Sequence, residues 1–476
     1  MKKTLIAGCS LVALLASGCS LIPDYLRPDP PVAAAWPDGP AYRDAPAPGP
    51  LSAPAAGRSW RQTFTDPRLQ RLIDQALTNN RDLRVAALSV EAARASHGVT
   101  ESALLPHLTA GASETAERTP KDLSGTVPPQ ATITRRYDVS LGVASYELDL
   151  FGRVRSLEAE ALEQYLATDE AQASVRIALV AEVANSYLTL LADRETLAVV
   201  EDTVAARQKS HDLISRSFQR GIGSQLDVAQ ARTALETARA SRERTLRQIA
   251  QDENALTLLL GAPLNRSRYL DGATLDDTAL VGDVPVGLPS EVILRRPDIR
   301  QAEHQLKAAN ANIGAARAAF FPSISLTGTV GTASAKLSDL FAGGSGAWSF
   351  APQISVPIFD YGRNESTLEE AKANQKIAVA RYEKAIQSAF REVADALAAR
   401  GTLTNQLAAQ KALVDAARLN FRLAQARYEH GVDSYLATLD AQRSLLSAQE
   451  DEIAVRAGRL ANLVTLYKVL GGDGRE

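Results

Sequence analysis

Methionine is almost missing from this chain of 476 residues: Met1 is the only one. A thioether relay for copper or silver therefore cannot be built from it. Cysteine is nearly as scarce, with Cys9 and Cys19 both close to the start, so no disulfide framework holds the fold. His97, His107, His211, His304 and His430 show no close pair and no metal-ligand spacing. No phosphate-binding loop is present, and Gly343-Gly-Ser-Gly-Ala347 misses the nucleophile-elbow pattern at its last position. No catalytic residue, no metal and no cofactor is expected, and the chain reads as something other than an enzyme. Net charge is only −3, which gives no reason to expect nucleic acid as a partner. Beyond the N-terminal region there is no run of roughly 18 or more apolar residues, so no membrane-spanning helix is expected.

What the chain does contain is alanine, leucine, glutamine, glutamate and arginine in long 3.6-residue periods, the composition of packed helices. Its organising stretch is Arg427-Tyr-Glu-His-Gly-Val-Asp-Ser-Tyr-Leu-Ala-Thr-Leu-Asp-Ala-Gln-Arg443, a turn between two helices that breaks at Gly431. A second copy runs from Ser217 to Gln230. Gly221 matches Gly431, Ser224 matches Ser434, and Leu226 matches Leu436, all at an offset of 210. Gly152-Arg153 and Gly362-Arg363 keep the same offset, as do Leu260-Gly261 and Leu470-Gly471. Two long helical hairpins of matched length are therefore duplicated within one chain.

The N-terminus begins with Lys2-Lys3, an apolar run from Leu5 to Ala16, and the small residues Ala16-Ser17-Gly18 before Cys19. Residues 1–18 read as an export signal. They resemble a bacterial lipobox, apart from Ala16 where leucine is usual. The resemblance implies a covalent lipid on Cys19, and Ser20 after it implies sorting to the outer membrane. Residues 19–58 are rich in proline and form an extended tether.

A first repeat is expected over 59–261. Trp60, Phe64, Leu69, Leu72, Ile73, Ala76 and Leu77 share one helical stripe, and Asp82 is the expected cap of the next helix. Over about 107–150 the period changes to two, with Val139, Leu141 and Val143 alternating with small or polar residues around a proline-containing loop. A hairpin over 153–260 follows with its tip at 221. From Arg153 to Phe218 there is no proline or glycine, enough chain for a helix of about 100 Å. Residues 262–295 form a linker that is irregular over 264–290. The second repeat, 296–472, has a strand pair over about 323–359 and a hairpin over 363–470 with its tip at 431. Phe350, Ile354, Val356 and Ile358 alternate along its last strand. Residues 473–476 are a tail. The offset between repeats falls from 216 to 210 within the strand–loop segments, where length changes are tolerated.

The strands are long enough to cross a bilayer at a tilt. Aromatic residues near their ends (Tyr146, Phe151, Phe320, Phe321, Trp348, Phe359, Tyr361) fit an interfacial girdle. Four strands leave open edges, which lipid does not tolerate, so closure needs more copies. Three copies give 12 strands.

Duplication, lipobox, proline-rich arm, the Asp149-Leu-Phe-Gly-Arg153 and Phe359-Asp-Tyr-Gly-Arg363 landmarks and both tips together resemble the outer membrane factor (TolC-like) family. The likeness is greatest to its OprM branch, the outer-membrane lipoproteins of resistance–nodulation–division (RND) efflux pumps. This resemblance implies a mainly α homotrimer. A 12-strand transmembrane β-barrel would continue into a long helical barrel in the periplasm. An equatorial belt would come from 59–80, 261–295 and the C-terminal end. The implied function is a passive exit duct for drugs and other small molecules. A periplasmic adaptor would meet the tips at Gly221, Ser224, Gly431, Val432 and Ser434, and an inner-membrane RND transporter would supply the energy. Leu436 and Asp440 fall where the family has its periplasmic gate. They lie one turn apart on one helix face, with Arg443 as a basic neighbour. The alternative for this pair is coiled-coil packing for Leu436 and a solvated charge at Asp440. For the whole chain the alternatives are a TolC-like duct for type I protein secretion or heavy-metal export, and a periplasmic coiled-coil adaptor. The adaptor would have one hairpin and no strand pairs.

Overall fold

The computed structural model describes residues 20–42, 59–125, 127–128, 130–276 and 293–472. The export signal, Cys19, residues 277–292 of the 262–295 linker and the C-terminal tail thus lie outside the described residues.

A short stretch Trp60–Thr63 (α1) is followed by Pro67–Asn79 (α2) and Arg81–Ser102 (α3). The stripe expected from Trp60 to Leu77 is thus broken in two. Pro67 takes the first helical position of α2, and Asp66 caps it by accepting the Arg68 N–H at 2.8 Å. The cap of α3 is Asn80, whose Oδ1 accepts the Leu83 N–H at 3.0 Å, and not Asp82, which lies within the first turn.

Two antiparallel strands follow, Leu108–Thr119 (β1) and Thr132–Leu148 (β2), then the long helix Arg153–Gln219 (α4). Gln225–Leu260 (α5) returns, and a single turn Arg266–Tyr269 (α6) occupies part of the segment expected to be irregular. The second half repeats the plan: Pro297–Ala318 (α7), Ser323–Ser334 (β3), Gly346–Ser355 (β4), Arg363–Glu429 (α8) and Tyr435–Val469 (α9). Both long helices contain 67 residues, about 100 Å at 1.5 Å per residue.

Helix α4 contains an 18-residue window of mean hydropathy 1.4, apolar enough by length and composition to cross a membrane. The expectation that no helix spans the membrane is not overturned by this window, since a buried core helix passes the same test. The window is 61% buried, which accounts for its apolar character.

Two compact units divide the chain. One takes residues up to Pro28 together with Val90–Thr168 and Ala302–Tyr382. It holds the sheet, in the order β1-β2-β3-β4. Phe151 stacks on Phe321 at 4.7 Å beside the sheet, and Ile313, Ala316 and Ala371 pack together. His97 and His304 each meet a carboxylate here, Glu158 at 2.9 Å and Glu163 at 2.6 Å.

The second unit takes Asp29–Ser89, Asp169–Gln301 and the chain from Glu383. Its main core joins Trp60, Phe64, Leu69, Leu72, Ile73 and Ala76 to Val183, Tyr187, Leu188, Leu191, Leu256 and Leu260. A smaller cluster combines Val393, Leu397, Leu466, Val469 and Leu470.

The described part of the N-terminal tether is extended up to a 3-10 turn at Pro40–Tyr42, but it is not free. Within the first unit, Arg27 donates three hydrogen bonds to Glu303, and Asn310 donates to the carbonyl of Pro23 at 2.8 Å. Within the second unit, Trp36 stacks on Phe390 at 5.0 Å. Gly314 and Gly401 lie beneath the arm inside α7 and α8. A methyl group on either would come within 2.6 Å of Ile22 or 2.1 Å of the Ala41 carbonyl. Side chains inside helices, and not loops, give way to this arm.

Candidate functional site

The two hairpin tips are built alike. At the end of α4 Gly221 turns left-handed with φ +76°, and at the end of α8 Gly431 does so with φ +73°. The Gly221 N–H donates to the Phe218 carbonyl at 2.9 Å and the Ile222 N–H to Ser217 at 3.0 Å. The Gly431 N–H donates to Tyr428 and the Val432 N–H to Arg427, both at 2.9 Å. Both tips are Schellman turns, in which glycine avoids the Cβ penalty of the left-handed conformation.

The tips then diverge. Ser224 caps α5 with a reciprocal box: its hydroxyl accepts the Asp227 N–H at 3.1 Å, and the Asp227 carboxylate accepts the Ser224 N–H at 3.2 Å. Ser434, at the matching position, makes no side-chain cap hydrogen bond. The second tip is clasped by an ion pair instead, with Arg427 Nε 2.5 Å from Asp433 Oδ2. That hydrogen bond holds the Asp433 carboxyl below the usual aspartate range.

Behind the second tip, Tyr435 is buried against Ile214 and Ala231 of the first hairpin. Burial pushes its phenol up. Arg207 is buried at the same level. It donates from Nη1 to the Ala234 carbonyl at 2.8 Å, and burial lowers its pKa. Neither the Tyr435 anchor nor the Arg427–Asp433 clasp was among the expected site residues. Their sequence signals are weak: an aromatic directly after a capping serine, and opposite charges flanking a glycine.

Leu436 is 59% exposed, and its counterpart Leu226 is 66% exposed. Within one chain the buried residues of this part of α9 are Tyr435, Thr438, Ala441 and Gln442, so Leu436 does not pack inside its own hairpin. Asp440 is exposed on the same side, one turn on, and Arg443 Nη2 lies 2.5 Å from its Oδ1. Gly221, Ser224, Gly431, Val432 and Ser434 are all exposed as well.

The sheet's register sorts its side chains onto two faces. Leu108 opposes Val143, Ala110 opposes Leu141, Leu141 opposes Val330, and Val330 opposes Trp348. Ile324 opposite Ile354 continues this apolar face, and Trp348 (80%) and Ile354 (65%) are largely exposed on it. Thr109, Ser113, Ser140, Thr329 and Ser349 lie on the other face. The outer strands β1 and β4 have no partner on their far edges within the sheet. Strand β4 stops at Ser355, so Val356 and Ile358 follow it and do not extend its alternation; Pro357 between them has no N–H for a ladder. Tyr146, opposite Leu326 near the strand end, donates its hydroxyl to the Leu104 carbonyl at 3.0 Å.

This arrangement can be set beside known proteins. The family model described as "Outer membrane efflux protein" matches residues 72–262 and 288–472. The toluene efflux pump outer membrane protein TtgC of Pseudomonas putida is 50% identical, over 100% of this chain and 97% of that protein. Outer membrane protein OprJ of Pseudomonas aeruginosa is 46% identical, over 98% and 95%. Among solved structures, a membrane protein from P. aeruginosa superposes with a TM-score of 0.87 at 45% identity, covering 96% of this chain and 99% of that one. The open state of the MtrE outer membrane channel of Neisseria gonorrhoeae gives 0.84 at 39% identity, covering 96% and 98%. Duplicated 67-residue helices, a four-stranded sheet with one apolar face, and a family match over both repeats agree: this chain belongs to the outer membrane efflux protein family.

Proposed function

We propose that this protein is the passive outer-membrane exit duct of a tripartite RND-type efflux pump. The observation that carries the reading is the sheet: four strands, one exposed apolar face and two unpaired edges, continuous in sequence with helices of about 100 Å. In lipid such a sheet must close, and three copies supply the 12 strands of a barrel with the polar face inward. The helices continue the duct through the periplasm, and the tips bearing Gly221, Ser224, Gly431, Val432 and Ser434 meet a periplasmic adaptor. The inner-membrane transporter selects the cargo and provides the energy, and this chain performs no covalent chemistry. The names of its relatives, toluene and antibiotic efflux pumps, favour small organic compounds as the cargo.

Leu436 and Asp440 form the gate in this reading. A ring of leucines closes the bore by apolar contact next to a ring of aspartates, each held by Arg443. Cys19 carries the lipid anchor. Labelled palmitate should enter the wild type and not Cys19→Ser, and equal labelling of both would sink the anchor. The duct itself is tested by deleting the gene and measuring retained toluene and antibiotic sensitivity. Both should rise and return to normal on complementation; unchanged retention and sensitivity would overturn the reading.

A further inference from the structure

The sheet carries charge on both faces at the end away from the long helices, and the two faces handle it differently. On the polar face Arg136 and Asp138, two residues apart on β2, form a bidentate pair at 2.8 Å. On the apolar face the register places Ala116 opposite Arg135 and Arg118 opposite Ile133. Arg118 and Arg135 are therefore diagonal neighbours on the same face as Leu108, Leu141 and Trp348. Both are exposed, and among the described residues neither side chain has a hydrogen bond or an ion pair. Glu114, the other diagonal neighbour of Arg135, is also unpaired.

Height along the strand says what lies beside them. The apolar positions of β2 run from Leu148 up to Val139, roughly 30 Å of strand, or about 23 Å of membrane thickness at a tilt near 40°. That fills the hydrocarbon layer. Arg135 stands four residues higher and Arg118 beside it, at the level of the lipid headgroups. Resting on the proposed membrane topology, this is the outer surface of the outer membrane, whose lipid is a phosphorylated glycolipid.

We propose that Arg118 and Arg135 form an outward-facing site for a phosphate of an anionic glycolipid headgroup in the outer leaflet, with Tyr137 beneath it as the interfacial aromatic. Charge complementarity carries the choice of occupant. Two planar guanidinium groups without a carboxylate partner, facing the membrane and not the bore, match a phosphate bidentately. Their lumenal neighbour Arg136 has its own carboxylate and needs none.

The test uses the full-length trimer purified in detergent and titrated with bis-phosphorylated lipid A in mixed micelles. Arg118→Gln with Arg135→Gln should weaken binding by about tenfold or more, the scale of a lost bidentate charge-assisted contact. Arg118→Lys with Arg135→Lys should lose less, Glu114→Gln should bind tighter, and Arg136→Gln should match the wild type. Lipid A stripped of phosphate should bind the wild type no better than intact lipid A binds the double glutamine variant. Inorganic phosphate alone should show no comparable affinity. Undiminished binding by the double glutamine variant, or equal binding of the stripped lipid, overturns the site. So does dissociation of the trimer in that variant, which would assign the arginines to contact between copies. A separate measurement isolates the topology: Arg118→Cys in intact cells should react with a membrane-impermeant maleimide. Labelling without lipid A binding rejects the site alone; absence of labelling rejects the orientation on which it rests.

Discussion

Arg27 and Glu303 stand 276 residues apart in the chain and meet in a bidentate pair, with Nη2 2.8 and 2.9 Å from the two carboxylate oxygens. The Tyr25 hydroxyl donates to the same carboxylate at 3.2 Å, and Glu303 itself is only 6% exposed. Burial alone would raise the Glu303 carboxyl, but the hydrogen bond from Arg27 and the charge of Lys307 take it below its ordinary value of 4.5.

Arg27→Ala leaves that carboxylate buried with weaker compensation and should cost about 1–3 kcal/mol, discounted because the guanidinium is half exposed. A depressed carboxylate contributes stability above its unfolded pKa and loses it as pH falls through the folded one. The gap between wild type and Arg27→Ala in chemical denaturation should therefore be full at pH 7 and shrink below about pH 4.5. A gap that is the same at pH 7 and pH 3 would refute the account.

Asp193 on α4 and Asp252 on α5 form the opposite case. Burial, then a hydrogen bond with Asp252, pushes the Asp193 carboxyl up to about 6. The folded state holds this proton more tightly than the unfolded chain. The stability it confers is complete below pH 3.8 and is lost as pH rises through about 6. Asp252→Asn should thus stabilise the protein more at pH 7.5 than at pH 4.5, read as a shift in denaturation midpoint. Equal shifts at both pH values would contradict the pairing.

At the tips, Ser224→Ala removes a capping box and should cost about 1 kcal/mol, seen as faster hydrogen exchange in the first turn of α5. Ser434→Ala removes no cap hydrogen bond and should leave exchange in α9 unchanged. If Ser434 serves the adaptor, its loss will appear as weaker adaptor binding with unaltered exchange. Equal exchange effects of the two substitutions would argue that the tips are chemically equivalent.

For the gate, planar-bilayer currents of the trimer should grow with Leu436→Ala and with Asp440→Ala, most in the double variant. Arg443→Gln should also raise the current, since it releases the carboxylate that Arg443 holds. Wild-type currents in all four variants would place the constriction elsewhere.

Arginine at Leu326 or Ile354 should cost roughly 2–4 kcal/mol of membrane stability near mid-bilayer, while arginine at Ser325 should be milder. Heat-modifiable migration and urea titration in lipid would read the difference. The reverse ranking would mean that the faces of the sheet are exchanged.

Much of this fold was legible because its punctuation is local. The glycines at 152, 221, 362 and 431 and the unbroken run after Arg153 define the long helices to within a residue. Alternation around Val139, Leu141 and Val143 marked the sheet and both of its faces. What stayed hidden depends on distant partners. The arm from Ile22 to Tyr42 has the composition of a free linker, and its close approach to Gly314 and Gly401 inside distant helices depends on the fold. Asn80 surpassed Asp82 as a cap because the chain turns two residues earlier, and the end of β4 was obscured because apolar residues continue past Ser355. In the tips the glycines and exposed leucines were readable, but the Arg427–Asp433 clasp and the Tyr435 anchor required three dimensions.

Gly142 and Gly331 lie on the polar face of the sheet. A methyl group at Gly142 would fall 2.6 Å from the Gly328 carbonyl, and one at Gly331 only 2.0 Å from that of Val139. Neighbouring strands lean over these positions, so the sheet bends toward its polar side. The apolar side, with Trp348 and Phe350, becomes the convex surface, where bulky groups have room to fan out. Curvature of this kind has a direction: copies of the sheet rolling up edge to edge enclose the face that carries Thr109, Ser140, Thr329 and Ser349, with Arg136 and Asp138 at its far end. An inside-out closure, with a greasy lumen and a wet exterior, would have to reverse this bend and crowd Trp348 and Phe350 onto the concave side.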